Sequence, residues 1–298
     1  MLRAVTATRY LAALPAGGSV PGIVEADDLG TYVVKFTGSA QGTKALVAEV
    51  IVGELARRLG LRVPELVRVT FDPATATDEP HEEIRGLLHA SAGLNLGMDF
   101  LPGARDFRAV ERSAVALGPR EAGRIVWLDA LTGNVDRTVH SPNLLVWPAS
   151  GFREPRLWLI DHGAALVFHH RWDTAPDVVD RAYDFRGHAL GGYHPDTAAA
   201  DAEFTPRVTE SLLREVVALV PDAWLAGEPG FAGPGEVREA YVRHLAARAR
   251  ASAAWLPTRF HSPAQLAAES ARRAAATAAG RPDWLKHLPD RSGPVPTR

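Results

Sequence analysis

Residues 131–147 read LTGNVDRTVHSPNLLVW, and after a short loop residues 157–163 read LWLIDHG. The pattern predicts two apolar strands, with Asn143 directly before the first and Asp161 directly after the second. Asp136 lies in the loop just upstream. This order is typical of sites that arrange a catalytic carboxylate and two Mg²⁺ ligands around a nucleoside triphosphate. The stretch therefore favours phosphoryl transfer from ATP.

Each of these three residues also has an ordinary structural interpretation. Asp136 could cap a turn or pair with its neighbour Arg137, Asn143 could simply begin a strand, and Asp161 could close a tight turn. Their order along the chain favours function over three separate coincidences. Asp136 would then accept the proton of an acceptor hydroxyl, while Asn143 and Asp161 would supply oxygen ligands to Mg²⁺. Arg137 would either offset the charge of Asp136 or contact phosphate.

Composition excludes several classes of protein. The 298 residues are 46% apolar and 23% charged, as in a folded globular protein. A net charge of −2 provides no basic field for nucleic acid and no polybasic membrane anchor. The chain has no cysteine, which excludes disulfides, thiolate metal sites and cysteine nucleophiles. No apolar run is long enough for a bilayer and the N-terminus has no export signal, so we expect a cytoplasmic protein that binds neither nucleic acid nor membranes.

Lys35 is unusual in this chain. Only three of the 33 basic Lys and Arg residues are lysines, and Lys35 lies inside the apolar strand TYVVKF, residues 31–36. Strand alternation places it with Val33 on the face opposite Tyr32 and Phe36. A buried lysine needs a carboxylate partner, and the following helix offers Glu49 or Glu54.

Two glycine-rich segments flank that strand. The first is Gly17-Gly18-Ser19, and the second spans residues 38–42. Small residues allow backbone N–H groups to approach phosphate, although neither segment matches a Walker A or complete G-x-G-x-x-G motif. Ordinary turns are the alternative interpretation.

The pattern of elements changes from strand-rich to helix-rich along the chain. Five strands are predicted in the first third, in addition to the two at 143–147 and 156–160, and five helices along the chain, with residues 72–85 as a loop. The strands are at 4–14, 21–25, 32–36, 65–71 and 94–102 within the first third, and the helices at 44–59, 121–132, 206–220, 235–255 and 262–279. We expect a strand-rich domain over 1–102, a mainly helical domain over 103–280 and a loosely held tail over 281–298.

Histidines offer a competing interpretation, a metal-dependent hydrolase. His162, His169 and His170 follow Asp161 closely in the sequence. No H-E-x-x-H or comparable ligand spacing is present, and adjacent histidines on a strand would point to opposite faces. The sequence therefore disfavours a histidine metal site.

Four segments together resemble the HipA-like kinases, a bacterial branch of the protein-kinase-like fold. They are YVVKF (32–36), AEVIVGELARRLGLRVPE (48–65), LDALTGNVDRTVHSPNLL (128–145) and LWLIDHGAAL (157–166). The resemblance implies an α+β, bilobed protein-kinase-like fold, with a strand-rich N-lobe and a mainly helical C-lobe, that binds ATP and Mg²⁺. The acceptor, a protein Ser/Thr or a small molecule, stays open.

The resemblance also implies roles for individual residues. Lys35 matches the nucleotide-binding lysine and Glu49 the helix glutamate that pairs with it. Asp136 matches the catalytic aspartate and Asp161 the metal aspartate. The adenine-binding hinge corresponds to the segment Met98, Asp99, Phe100 and Leu101.

The chain departs from the usual kinase pattern at several positions. The metal-binding asparagine usually follows the catalytic aspartate by five residues, where this chain has Ser141; we prefer Asn143, which requires a two-residue insertion in the loop. Asp161-His162-Gly163 replaces Asp-Phe-Gly. We expect no N-terminal subdomain like that of full-length HipA toxins, which leaves a toxin role unsupported, and no long activation segment. A nucleotide-binding pseudokinase and an AMP-transferring enzyme on the same fold remain alternatives.

Overall fold

The computed structural model describes residues 1–14, 20–110, 115, 117–148, 155–258, 268 and 271–272. Its first part is a closed barrel of five strands in the order β1-β2-β3-β5-β4. Strands β1 and β4 pair in parallel, and all other neighbours are antiparallel. The strands are β1 (Arg3–Ala13), β2 (Gly22–Ala26), β3 (Thr31–Lys35), β4 (Leu66–Phe71) and β5 (Gly93–Asp99).

Alternation along β3 gives the barrel two different faces. Tyr32 and Val34 point into the barrel core with Phe36, as the sequence predicts. The opposite face carries Lys35 and Val33, which pair with residues 96 and 98 of β5. One side of the barrel is therefore a closed apolar core, while the other presents Lys35 to the rest of the molecule.

Helix α1 (Gly42–Leu59) packs between the barrel and the helical part. Thirteen of its residues are buried, so it is apolar on most sides rather than along one stripe. Gly60 ends it in the left-handed conformation, with φ of 88°, as expected from the sequence.

Beyond the barrel the chain is mainly helical. A second, three-stranded sheet contains β6 (Arg105–Asp106), β7 (Leu144–Trp147) and β8 (Arg156–Leu159). The α+β class predicted from the sequence is thus confirmed. The helices are α2 (Glu82–Ala90), which precedes β5, and then α3 (Pro119–Thr132), α4 (Thr197–Phe204), α5 (Glu210–Val217), α6 (Asp222–Leu225), α7 (Pro234–Arg250) and α8 (Ser252–Trp255).

Three sequence predictions about elements need correction. Residues 72–85 are not simply a loop, since α2 begins at Glu82 with Ile84, Leu87 and Leu88 turned toward the barrel core. The acidic residues in its first turn, which suit a helix N-terminus, had suggested a loop. The predicted helix 206–220 is regular only at α5, and 235–255 is interrupted at Ala251.

The predicted division into a strand-rich domain over 1–102 and a helical domain over 103–280 stays a prediction. The predicted helix 262–279 falls largely outside the described residues, and so does the tail 281–298. No helix within the described ranges is long and apolar enough to cross a membrane.

Candidate active site

Lys35 lies at the centre of the site and contacts two carboxylates. Its Nζ is 2.5 Å from Oε1 of Glu49 on α1 and 2.6 Å from Oδ1 of Asp161, just after β8. Glu54, the alternative partner, instead pairs with Arg57 at 3.2 Å. The three elements β3, α1 and β8 thus converge on one lysine.

The charges of this cluster shift one another's pKa values. Burial by itself would lower the pKa of Lys35, but Glu49 and Asp161 raise it above its ordinary value. Burial opposes ionisation of Glu49, yet Lys35 and His162 hold its pKa below the ordinary range. Burial and the neighbouring Glu49 raise the pKa of Asp161. An additional cation beside Asp161 would therefore be favourable.

Asp136 is held by the two residues that compete for the second metal position. Asn143 donates from Nδ2 to Oδ2 of Asp136 at 2.9 Å and to its backbone oxygen at 3.1 Å. Ser141 donates from Oγ to Oδ1 of Asn143 at 3.2 Å and, more weakly, to Oδ2 of Asp136 at 3.4 Å. The loop thus brings both residues beside the aspartate.

Asn143 and Asp161 share an uncommon backbone conformation. Their φ angles are 51° and 53°, in the left-handed region that non-glycine residues seldom occupy. The N–H of Ile160 donates to the backbone oxygen of Asn143 at 3.1 Å. This hydrogen bond joins the start of β7 to the end of β8 and so holds Asn143 and Asp161 close together. Left-handed residues of this kind concentrate at functional sites, and here they place both predicted metal ligands at one end of the β7–β8 hairpin.

Beneath the loop, Asp129 of α3 is a fully buried anchor. It accepts from Nε of Arg137 at 2.6 Å and from Nδ2 of Asn134 at 2.9 Å. Nε2 of His188 lies 3.1 Å from Asp129, and its Nδ1 accepts from the N–H of Leu190, so Nε2 carries the proton. Burial opposes ionisation of Asp129, but Arg137 and His188 lower its pKa to about 2.

This anchor resolves the two alternatives for Arg137. Its side chain is fully buried and donates to the backbone oxygens of Pro142 and Asn143 as well as to Asp129. Arg137 therefore does not offset the charge of Asp136, and it is not exposed to contact a phosphate. Its function in the fold is to brace the loop from below.

The histidine of the Asp-His-Gly segment turns toward α1. Nδ1 of His162 lies 3.4 Å from Oε2 of Glu49. A Cβ on Gly163 would meet Oε1 of Glu49 at 3.3 Å, so the backbone also approaches this carboxylate closely. The segment therefore packs directly against Glu49.

The predicted hinge residues lie across the end of β5, since Met98 and Asp99 are its last two residues and Phe100 and Leu101 follow it. The N–H of Asp99 donates to the oxygen of Glu65 and that of Phe100 to the oxygen of Thr31, so both amides are bonded within the barrel. Met98 is half-buried and forms the last residue pair between β4 and β5, and Leu101 is buried. In this predicted hinge segment, the backbone N–H groups of Asp99 and Phe100 are therefore already hydrogen-bonded.

Of the two glycine-rich segments, Gly17, Gly18 and Ser19 lie outside the described residues. In the other segment, the N–H of Gly38 donates to Oγ of Ser91, and the N–H of Ser39 donates to the oxygen of Phe36. These amides are therefore not free for phosphate.

The histidine pair is arranged differently from the prediction. His169 and His170 lie on a 3₁₀ turn, not a strand, and their rings are 4.5 Å apart rather than on opposite faces. Within the part of the chain that the structure describes, no group of three or more His, Asp or Glu residues is placed to hold a metal. A kinase-type Mg²⁺ site needs fewer protein ligands, because phosphate oxygens and waters complete it.

Sequence reasoning missed two groups that support the site. Asp129 and His188 form the buried anchor, and Lys44 at the start of α1 contacts Glu228 at 2.7 Å. Lys44 could have been suspected, because lysines are so rare in this chain.

The HipA-like kinase family matches residues 10–257. No curated protein matches significantly. The crystal structure of the proinflammatory kinase CtkA from Helicobacter pylori is similar at a TM-score of 0.50 and 13% identity, over 84% of this chain and 94% of that one. The Golgi casein kinase with Mn/ADP bound gives a TM-score of 0.46 and 15% identity, over 88% of this chain and 77% of that one. The likeness to CtkA shows a kinase-like fold.

Proposed function

We propose that this chain, which belongs to the HipA-like kinase family, transfers the γ-phosphoryl group of ATP to a hydroxyl acceptor with the help of Mg²⁺. The observation that carries the proposal is the double contact of Lys35 with Glu49 and Asp161. A lysine held in this way by a helix glutamate is the arrangement with which kinases bind the α- and β-phosphates.

The donor set fits a bound Mg²⁺ ion. Asp161 supplies a carboxylate and Asn143 an amide oxygen, which are the hard ligands that Mg²⁺ prefers. The side chain of Asp161 is 41% exposed, so it can reach a ligand in the cleft. When bound, the ion offsets the negative charge that develops on the phosphates.

Asp136 is the proposed catalytic base. Its carboxylate is oriented by Asn143 and Ser141, and it would accept the proton of the acceptor hydroxyl. Arg137 and Asp129 fix the loop beneath it, which supplies the positioning on which phosphoryl transfer chiefly depends.

The adenine would lie between the two parts of the molecule. Lys35 and Val33 pair with residues 96 and 98, and this face of the barrel is directed toward Asp161. On the other side, Trp147 of β7 donates from Nε1 to the oxygen of Pro102 at 2.8 Å, so the β7–β8 hairpin contacts the residue that follows the predicted hinge. Segment Gly17–Ser19 stays a predicted phosphate-binding segment on its glycine-rich sequence alone.

The first experiment is thermal unfolding with and without ATP and Mg²⁺. Wild type should be stabilised only when both are present, because a ligand that binds the native state raises its stability. Asp161→Asn should lose that shift, whereas the exposed control Asp78→Asn should keep it. Absence of a shift in the wild type would contradict the proposal.

The second experiment separates the types of transfer. Label in the γ-position of ATP should appear on an acceptor or as free phosphate, and label in the α-position should not. Transfer of α-label would instead assign an AMP-transferring enzyme, and nucleotide binding without any transfer would assign a pseudokinase.

A further inference from the structure

A cavity of about 460 Å³ opens beside the catalytic loop. Gly133 and Val135, just before Asp136 in the sequence, form one part of its wall. Val167 and Phe168, which follow the Asp-His-Gly segment, form another, and His244 of α7 a third. The cavity wall therefore includes Val135, the residue directly before the proposed catalytic base, but neither Asp136 itself nor the cluster around Lys35.

Exposed apolar side chains mark this region. Val135 and Val167 are 65% and 49% exposed, and both line the cavity. Exposed valines next to a concave apolar surface are typical of ligand-binding sites. The cavity therefore suits a ligand with an apolar part.

His244 contributes a buried polar atom without a partner. Its side chain is only 7% exposed and stacks on Phe168 with ring centroids 3.6 Å apart. Its Nε2 has no hydrogen-bond partner among the described residues. Burial and the positive charge of Arg248 lower the pKa of His244 to about 4, so the imidazole is neutral at pH 7. Buried polar groups normally have a hydrogen-bond partner, and a polar atom of a ligand in the cavity would supply one to Nε2.

The mouth of the cavity is positively charged. Arg171 and Arg181 both line it and are exposed, and neither guanidinium has a carboxylate partner in the described part of the chain. Arg248 instead donates to backbone oxygens, among them that of Leu131. The lining acid, Asp184, pairs with Arg186 at 2.6 Å. Two guanidinium groups are thus available to an anion.

We propose that this cavity binds the phosphate acceptor and that the acceptor is a small hydroxy acid. Its apolar body would lie against Phe168, a polar atom would bond to Nε2 of His244, and its anionic group would meet Arg171 and Arg181. The volume lies within the range of about 300–1,000 Å³ that is usual for small-molecule sites. The acceptor role rests on the proposed function, whereas binding of the hydroxy acid does not.

The hydroxyl oxygen of the acceptor forms a bond to the γ-phosphorus, and the bond from that phosphorus to the β,γ-bridging oxygen breaks. ADP leaves with the electron pair, and the hydroxyl proton passes to the carboxylate of Asp136. The products are ADP and the phosphate monoester of the hydroxy acid.

Three probes test the binding of such a molecule to the full chain without nucleotide. They are 3-phenyllactate, which has ring, hydroxyl and carboxylate, 3-phenylpropionate, which lacks the hydroxyl, and the uncharged 3-phenylpropan-1-ol. Saturation-transfer NMR detects ligands with Kd near 1 mM when each probe is supplied at about 10 mM. Both acids should bind more tightly than the alcohol.

Substitutions at the rim provide the matched comparison. Ala182 is exposed and lines the cavity, so Ala182→Trp should fill the entrance and abolish binding of all three probes. Ala202→Trp, at an exposed position of α4, should bind them as wild type does. Replacing both Arg171 and Arg181 with Ala should weaken the two acids by about tenfold and leave the alcohol unchanged.

The outcomes separate this proposal from the kinase assignment. Saturation transfer to no probe, or binding that survives Ala182→Trp, overturns the cavity as a site for hydroxy acids. A second overturning result is phosphorylation of serine peptides that Ala182→Trp blocks while none of the probes binds. That result would assign a protein acceptor to the cavity instead of a hydroxy acid. Failure of ATP and Mg²⁺ to stabilise the chain contradicts only the proposed function. If ATP and Mg²⁺ stabilise the chain and the probes bind, the label from the γ-position of ATP should appear on 3-phenyllactate. Absence of label on 3-phenyllactate would then overturn the acceptor role.

Discussion

Lys44 and Glu228 form an ion pair that ties the first turn of α1 to the loop before α7. The Nζ–Oε1 distance is 2.7 Å, and Lys44 also donates to the backbone oxygen of His169 at 2.6 Å. Trp172 adds a hydrogen bond to the same carboxylate oxygen of Glu228, at 3.0 Å. Because Glu49 lies on the same helix, this contact holds the partner of Lys35 in place.

Removing the charge of Lys44 should therefore weaken nucleotide binding from a distance. Lys44→Met leaves Glu228 half-buried with fewer partners, and we expect a loss of about 1–2 kcal/mol in the free energy of unfolding. The stabilisation by ATP and Mg²⁺ should also decrease, because Glu49 is less firmly placed. Thermal unfolding with and without nucleotide measures both effects.

The control for this prediction lies on the same helix. Arg58 pairs with Glu215 at 2.9 Å, but both side chains are well exposed. Exposed pairs contribute little, so Arg58→Met should change stability by less than about 0.5 kcal/mol and leave nucleotide binding intact. Equal effects of the two substitutions would contradict the role of Lys44.

Asn143 and Ser141 should differ in their importance for Mg²⁺. Asn143→Gly removes the amide and suits the positive φ of 51°, so it tests the ligand without adding backbone strain. We expect at least a tenfold increase in the Mg²⁺ concentration needed for half-maximal stabilisation by ATP, which corresponds to about 1.4 kcal/mol. Ser141→Ala should change that concentration by less than about threefold. The reverse ranking would assign Ser141 as the metal ligand.

The buried pair of Arg137 and Asp129 should dominate the stability of the catalytic loop. Arg137→Met would leave Asp129 with only His188 and Asn134 as partners and should cost about 3–5 kcal/mol in urea unfolding. Arg108→Met breaks an exposed contact with Asp106 and is the control. A loss below about 1 kcal/mol for Arg137→Met would show that the pair does not brace the loop.

Acid should destabilise the fold partly through His244. Its pKa is lowered to about 4 by burial and Arg248, against an ordinary value of 6.5. The unfolded chain therefore binds more protons between pH 4 and 6.5, so this contribution is complete above pH 6.5 and is lost as the pH falls toward 4. The linkage amounts to at most about 3 kcal/mol.

The substitution that tests this linkage is His244→Phe, which keeps an aromatic ring against Phe168. Its stability should fall less than that of wild type when urea unfolding is repeated from pH 7 down to pH 4.5. His140→Gln, at an exposed position, should follow the wild-type dependence. A variant as acid-sensitive as wild type would show that His244 is not responsible.

Local patterns were sufficient to predict much of the barrel and the identity of the clustered residues. Strand alternation placed Lys35 opposite Tyr32, and the order of Asp136, Asn143 and Asp161 marked the loop and the hairpin. Helix α2 was missed because its acidic first turn resembled a loop. Short-range propensities cannot resolve such a case, since packing on the barrel decides it.

What the sequence by itself determined is the set of chemical groups and their order on strands and loops, because periodicity and turn chemistry act over a few residues. Only the tertiary structure decided which of these side chains contact each other. Arg137 turned to Asp129 rather than to Asp136 or phosphate, because a buried guanidinium requires a buried carboxylate. Lys44 met Glu228, 184 residues away, through the packing of α1 on the helical part. The cavity near Asp136 likewise exists only where separate segments close around it.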